Sequence, residues 1–198
     1  MTYDILTALT AFAFVSSITP GPNNLMLMAS GANFGFARSI PHMLGIGIGF
    51  VVMVILVGIG LMQVFDTFPI THTILKVASI GYLLYLAWKI ANAGAPEGAQ
   101  SDARPMTFIQ AALFQWVNPK AWTMALTAIT LYAPDRSLTS ILLVAAIFGA
   151  INLPCVSSWT VLGQQMRRIL RSPAHLTAFN WLMAGLLVAS LYPVVFAT

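Results

Sequence analysis

A shortage of charge limits what this chain can fold into. Lys, Arg, Asp and Glu make up 7% of its residues, where a soluble domain carries about 25%. So few charges cannot cover the surface of a water-soluble globule of 198 residues, 59% of them hydrophobic. The mean hydropathy of +0.85 agrees, and lipid must be the solvent for most of the exterior. A helix needs ~20 mainly apolar residues to cross the hydrocarbon layer, which leaves room for about six. The net charge of +4 does not point to nucleic acid, because the nine basic residues are scattered or sit at helix ends. There they set orientation.

The single cysteine, Cys155, lies in an apolar stretch and reads as a small filler. It can form no intramolecular disulfide, so it says nothing of redox compartment. No Lys or Arg precedes the first apolar run, which argues against a cleaved signal peptide. That run is expected to stay as a helix.

Six apolar segments follow one another. The first predicted helix runs from Ile5 to Asn33 and is interrupted at Thr19-Pro20-Gly21-Pro22-Asn23-Asn24. The second spans Ser39 to Phe65 and the third Ile70 to Ile90. A polar Gly-, Ala- and Pro-rich loop occupies 92–105. The fourth helix covers Met106 to Tyr132, interrupted at Asn118-Pro119-Lys120. The fifth covers Leu138 to Leu162 with a kink expected at Pro154, and the sixth Leu176 to Phe196. With the N-terminus outside, the inner loops hold Arg38, Lys89, Arg104, Arg167, Arg168 and Arg171, and the outer side only Lys76 and Arg136. This bias favours both termini outside, on the periplasmic face in a bacterium.

The loop divides the chain into halves of three helices. An odd number per half requires the halves to have opposite orientation in the bilayer. Pro20 and Pro119 interrupt the first helix of each half and lie half the chain apart. Gly49 and Gly149 match at nearly the same offset in the second helices, and Gly81 and Gly185 roughly match in the third. The expected fold is therefore all-α and polytopic: one transmembrane transporter domain over 1–198, with repeat one at 1–91 and inverted repeat two at 106–198. Such transporters keep their site near the midplane, at broken helices.

The breaks carry the chemistry. Pro20 and Pro22 supply no backbone N–H, and Gly21 between them imposes no side-chain restriction. In hydrocarbon, each orphaned carbonyl would cost several kcal/mol, so irregular backbone survives only where it is buried in protein or lines a wet cavity. Ser16, Ser17, Thr19, Asn23 and Asn24 surround the break and can replace lost partners. After Pro22 a new half-helix begins, whose N-terminal N–H groups favour an anion such as a carboxylate. In the second break Lys120 falls near mid-span, where a cation costs at least about 2.5–3.5 kcal/mol and faces the bundle interior. It reads either as a substrate or gating residue or as a cap on freed carbonyls. Asn118 and Pro119 open the backbone beside it, with Gln115 and Trp116 one turn earlier. No acidic residue lies comparably deep to pair with it.

Asn152, Pro154, Ser157, Ser158 and Thr160 make the fifth helix locally polar, as substrate contacts or interhelical glue. Gly45 and Gly49 have the small-xxx-small spacing of close helix packing, usable by a monomer core or a homodimer. His42, His72 and His175 are far apart, which is not metal-ligand spacing, and they read as interfacial histidines. Trp88, Trp159 and Tyr132 read as interfacial anchors. No metal or cofactor is expected. An embedded enzyme would need a dyad, a metal cluster or a nucleophile with a base, and none is present in the sequence. The remaining alternative is an ion channel or metal-ion exporter, against which a lone central lysine argues.

Ser17-Ile18-Thr19-Pro20-Gly21-Pro22-Asn23-Asn24, the run Gly81-Tyr82-Leu83-Leu84-Tyr85-Leu86-Ala87-Trp88-Lys89 and Gln115-Trp116-Val117-Asn118-Pro119-Lys120 together resemble the LysE/RhtB family of amino-acid exporters. The resemblance extends over essentially the whole chain in length, helix count and motif order. It implies export of small amino acids from the bacterial cytoplasm, driven by proton exchange. It also implies that Pro20, Gly21, Pro22, Asn23 and Asn24 belong to the substrate path of the first repeat, and Asn118, Pro119 and Lys120 to that of the second. Exporters of lysine and arginine in the family are expected to balance their cargo with acidic membrane groups. This sequence has none, which points to neutral amino acids of the homoserine, threonine, cysteine or O-acetylserine type. The expected partners are a small amino-acid substrate and the lipid bilayer, and not nucleic acid.

Overall fold

A computed structural model of the chain describes residues 2–61, 63, 67–68, 70–93, 104–170, 172–192 and 195, the side chain of Arg168 excepted. Most of the loop expected at 92–105, Arg171, and the ends expected at Phe65 and Phe196 lie outside the described residues. Among those described the secondary structure is entirely helical. The elements are α1 (Tyr3–Ile18), α2 (Pro22–Phe34), α3 (Phe36–Leu56), α4 (Ile70–Ala91), α5 (Phe108–Phe114), α6 (Pro119–Tyr132), α7 (Leu138–Ile169) and α8 (Pro173–Ala189). A π-helical turn, Val57–Leu61, extends α3, and a 3-10 turn, Gln115–Val117, extends α5.

Local chemistry sets the boundaries. Pro22, Pro119 and Pro173 each sit in the first turn of their helices, where a missing N–H breaks no helical bond. Thr107 and Gln110 form a reciprocal capping box at the start of α5. Gly35 links α2 to α3 at φ 80, a conformation open to glycine. Pro154, expected to kink the fifth helix, lies within α7, which continues unbroken to Ile169 and so runs past the expected end.

Among the described residues three helices are long and apolar enough to cross a membrane: Phe36–Leu61, Ile70–Ala91 and Leu138–Arg167. The pair α1 and α2, bent by 53° at its break, makes a fourth when taken as one span. Phe108–Val117 and Pro173–Ala189 are apolar but shorter as individual helices. The outward faces of α4 and α8 expose Ile74, Val77, Trp88, Trp181 and Leu182. Such faces suit lipid and not water.

The halves exchange packing partners. α1 and α2 lie along α7, while α5 and α6 lie along α3. Each broken helix therefore packs on the second helix of the other half. α3 meets α7, and α4 meets α8. Lipid tails are as apolar as leucine, so close van der Waals packing must hold these contacts. A Cβ on Gly31 would lie 2.1 Å from the Thr160 carbonyl oxygen, and one on Gly163 would lie 2.0 Å from that of Met28. α2 and α7 thus touch backbone to backbone. Gly45 and Gly49 do the same for α3 on α5, where a Cβ would meet the Phe108 oxygen at 2.4 Å and Ala112 Cα at 2.6 Å. These two glycines are used inside the bundle and offer no surface to a second copy. One apolar core joins α1, α3, α6 and α7 around Phe50, Phe148, Leu9 and Ile129. Phe148 takes Phe12 and Phe50 edge-on, at 5.8 and 5.4 Å between centroids. A second core, around Leu27, Ile46, Leu83, Phe114 and Leu187, fills the space toward α4 and α8.

Candidate functional site

At the first break, helical bonding lapses between Ile18 and Pro22, because Pro20 and Pro22 cannot donate. Side chains replace the missing donors in sequence. The Ser16 carbonyl accepts from Thr19 Oγ1 at 3.1 Å. That of Ser17 accepts from Asn24 Nδ2 at 2.8 Å, and that of Ile18 from Trp159 Nε1 at 3.0 Å. The Thr19 carbonyl accepts from both Asn24 Nδ2 and Lys120 Nζ, each at 2.8 Å. The Pro20 carbonyl accepts from Lys120 Nζ at 3.3 Å. Regular bonding resumes with Leu25 N–H to the Gly21 carbonyl at 3.0 Å. A break of this kind in hydrocarbon requires such partners.

The second break is shorter. Asn118 alone leaves the helical region, with φ −95 and ψ 106, and its Oδ1 accepts from the Lys120 N–H at 3.1 Å as the N-cap of α6. Lys120 therefore stands in the first turn of a new half-helix. Its ammonium spans to the other break, donating also to Thr19 Oγ1 at 3.0 Å. Gly21 makes room for it, since a Cβ there would lie 2.6 Å from Lys120 Cδ. The cation sits at the negative C-terminal end of α1, where a helix dipole favours positive charge. The breaks are braced a second time by reciprocal amides. Asn23 Nδ2 donates to Gln115 Oε1 at 2.9 Å, and Gln115 Nε2 donates to Asn23 Oδ1 at 3.2 Å and to the Ala111 carbonyl at 2.9 Å.

Between the breaks lies a cavity containing about 330 Å³ of space outside protein atoms. Ser16, Ser17, Gly21, Asn23, Asn24 and Asn118 line it, with Lys120 and Asn152. Phe50, Ala121, Met124 and Val156 supply the apolar wall. Six of the residues predicted from sequence thus meet here: Gly21, Asn23, Asn24, Asn118, Lys120 and Asn152. Pro20, Pro22 and Pro119 do not line the cavity but create the breaks that shape it. Gln115 is fully buried and acts as the brace on Asn23.

Two electrostatic poles face this space. The N-terminal turns of α2 and α6, with Lys120, form a positive pole. The second is Asn152, which also lines the cavity and whose Nδ2 donates to Ser17 Oγ at 3.2 Å. Its Oδ1 is buried with no hydrogen-bond partner. An orphaned acceptor costs about 1–3 kcal/mol, and a bound donor would relieve that cost.

Two sequence readings need correction. Trp159 is not an interfacial anchor but the donor that satisfies Ile18. His42 is not interfacial either: it is 2% exposed, two turns into α3. It lines another cavity together with Ser30, Asn33, Lys89 and Arg104. Among the described residues no three His, Cys, Asp or Glu side chains gather into a metal-binding group.

The LysE type translocator family model matches residues 14–192. The cysteine/O-acetylserine efflux protein of Escherichia coli (strain K12) is 28% identical over 195 residues, covering 95% of this chain and 96% of that protein. The protein of the same name from Shigella flexneri shows the same identity and coverage. That from Escherichia coli O1:K1 / APEC is 29% identical over 196 residues, covering 95% of this chain and 96% of its own. No solved structure matches.

Proposed function

The chain belongs to the LysE type translocators, a family of transporters and not enzymes, and from that premise we propose that it exports small neutral amino acids or their derivatives from the bacterial cytoplasm by proton exchange. The cavity between the breaks carries this reading. It sets a cation and two helix N-termini against a buried acceptor without a partner, a layout complementary to the carboxylate and ammonium of a zwitterion. The cargo carboxylate draws Lys120 Nζ from the Thr19 and Pro20 carbonyls, and the cargo ammonium donates to Asn152 Oδ1. The lack of a carboxylate among the described lining residues favours a neutral side chain. The relatives named for cysteine and O-acetylserine efflux support the same class.

The exchange of packing partners between the halves supports reading 1–91 and 106–198 as inverted repeats of one transporter domain, with 92–105 as the linking loop. Rocking of these repeats about the fixed cavity would expose it alternately to the two faces. The Lys120 contact joins the two halves at their breaks, so its exchange between backbone carbonyls and cargo couples occupancy to that motion. The excess of basic residues at one end supports reading that end as cytoplasmic, with both termini in the periplasm of a protein of the bacterial inner membrane.

Proteoliposomes loaded with a panel of labelled amino acids provide the test. Efflux of cysteine, O-acetylserine, serine or threonine is expected from native protein, and markedly less from Lys120→Ala and Asn24→Ala. Unimpaired efflux in both variants would remove these residues from the cargo path. Absence of efflux for every amino acid in the panel would sink the proposed function.

A further inference from the structure

We propose a second site, at the basic end of the bundle, which takes the oxyanion of a small carboxylate-bearing solute. A cavity containing about 510 Å³ outside protein atoms lies between α2, α3, α4 and the segment entering α5. Arg38 and Arg167 flank a neighbouring hollow that shares Phe34 with this cavity. Several basic side chains therefore surround one end of the molecule.

The polar lining is mostly committed elsewhere. Ser39 Oγ donates to the Gly35 carbonyl at 2.9 Å, so the 2.7 Å Ser30–Ser39 contact is a bond that Ser30 donates. Asn33 Nδ2 uses both its protons, on the Ala29 carbonyl and Asn180 Oδ1, each at 2.8 Å. His42 differs, because neither of its ring nitrogens has a hydrogen-bond partner. A neutral imidazole always carries one N–H, so a buried donor at this cavity has nothing to accept it. Lys89 and Arg104 line the same space, and among the described residues neither forms an ion pair or hydrogen bond. Among the described residues no carboxylate occurs in the lining.

Two cations and an unused N–H at a partly apolar cavity make a receptor for one anionic oxygen group. Charge-assisted bonds to a carboxylate are the strong ones available there. A lipid phosphate presents similar oxygens, but the burial of His42, in a cavity also lined by Met26 and Met106, suits a small solute better than a headgroup tethered to its chains. The cavity is distinct from the one between the breaks, since among the described residues the two share no lining residue. Its use as a loading site for cargo rests on the exporter reading and its orientation. The binding itself does not.

The test uses the full chain, labelled with 15N-histidine, in phosphatidylcholine nanodiscs. Each of the three histidines gives its own ring-nitrogen resonances, and His42→Gln assigns those that matter. Acetate and glycine should each shift the His42 resonance saturably at constant pH, while methylammonium chloride should not. The double variant Lys89→Gln/Arg104→Gln should weaken acetate binding by at least ~10-fold, as expected for lost charge-assisted bonds. It should retain the His72 and His175 resonances, which lie outside the cavity and report an intact fold. No response of His42 to acetate or glycine overturns the site. A His42 resonance already shifted by phosphatidylglycerol, and then unresponsive to acetate, assigns the cavity to lipid and overturns a solute site. A shift produced by Glu97→Gln/Asp102→Asn alone assigns it to the chain's own carboxylates, with the same result. In efflux assays the Lys89/Arg104 variant should raise the half-saturating internal concentration and leave the maximal rate unchanged. An unchanged half-saturation beside intact acetate binding rejects only the loading role, and absent efflux in native protein bears only on the exporter reading.

Discussion

Lys120→Met removes the charge that joins the two breaks while keeping an unbranched side chain of similar length. Three hydrogen bonds disappear, but the acceptors are not equally exposed to the loss. The Thr19 carbonyl still accepts from Asn24 Nδ2 at 2.8 Å, and Thr19 Oγ1 still donates to Ser16 at 3.1 Å. Only the Pro20 carbonyl loses its side-chain donor. An orphaned buried group costs about 1–3 kcal/mol, and Pro20 is exposed, so the lower end applies. Against this, removing a mid-span cation relieves about 2.5–3.5 kcal/mol of insertion cost. The two effects oppose one another, and the net change in stability should stay within about 2.5 kcal/mol. Transport has no such compensation. Losing a charge-assisted contact to the cargo carboxylate costs at least about 2 kcal/mol, or roughly 30-fold in rate. Denaturant unfolding in mixed micelles, followed by circular dichroism, should show a near-native midpoint. Efflux from proteoliposomes with matched protein content should nearly vanish. A variant that unfolds readily and never reconstitutes would make Lys120 a structural staple, and one that exports at the native rate would exclude it from the path. Either result refutes the reasoning.

Other substitutions separate packing from function. Asn152→Leu removes the orphaned Oδ1 along with one bond to Ser17, so unfolding should show stability unchanged or raised by about 1 kcal/mol, with efflux strongly reduced. Trp159→Phe leaves the Ile18 carbonyl without its donor and should lower stability by about 1–3 kcal/mol in the same assay. Gly163→Val forces α2 and α7 apart, because a Cβ would start 2.0 Å from the Met28 oxygen. It should cost at least the ~1–3 kcal/mol of an over-packed core, seen as loss of a monodisperse peak in size-exclusion chromatography.

The positions of both breaks were legible in the sequence because proline acts locally: its missing N–H leaves the carbonyl one turn earlier without its helical donor. Their closure was not legible. Trp159 and Asn152 reach the first break from residues 141 and 135 positions away, and no periodicity reports such a meeting. An indole in an apolar segment has the same composition whether it anchors at an interface or caps a carbonyl. Pro154 shows the opposite limit. Proline disfavours helix interiors, yet α7 is held along its length by α1, α2 and α3, and tertiary packing overrides the local preference. The small-xxx-small spacing of Gly45 and Gly49 announced a close contact without naming its partner. Gly31 and Gly163 carry the closest approach but sit in different halves and share no motif.

Cargo occupancy of the cavity can be measured by protection of an introduced thiol. The only native cysteine is Cys155, so Cys155→Ser gives a cysteine-free background for Ser17→Cys, at a residue that lines the cavity. In proteoliposomes, maleimide alkylation of that thiol should be slowed by O-acetylserine or serine at concentrations that support efflux, and not by lysine. Labelling unaffected by any amino acid that the protein exports would contradict a cargo site between the two breaks.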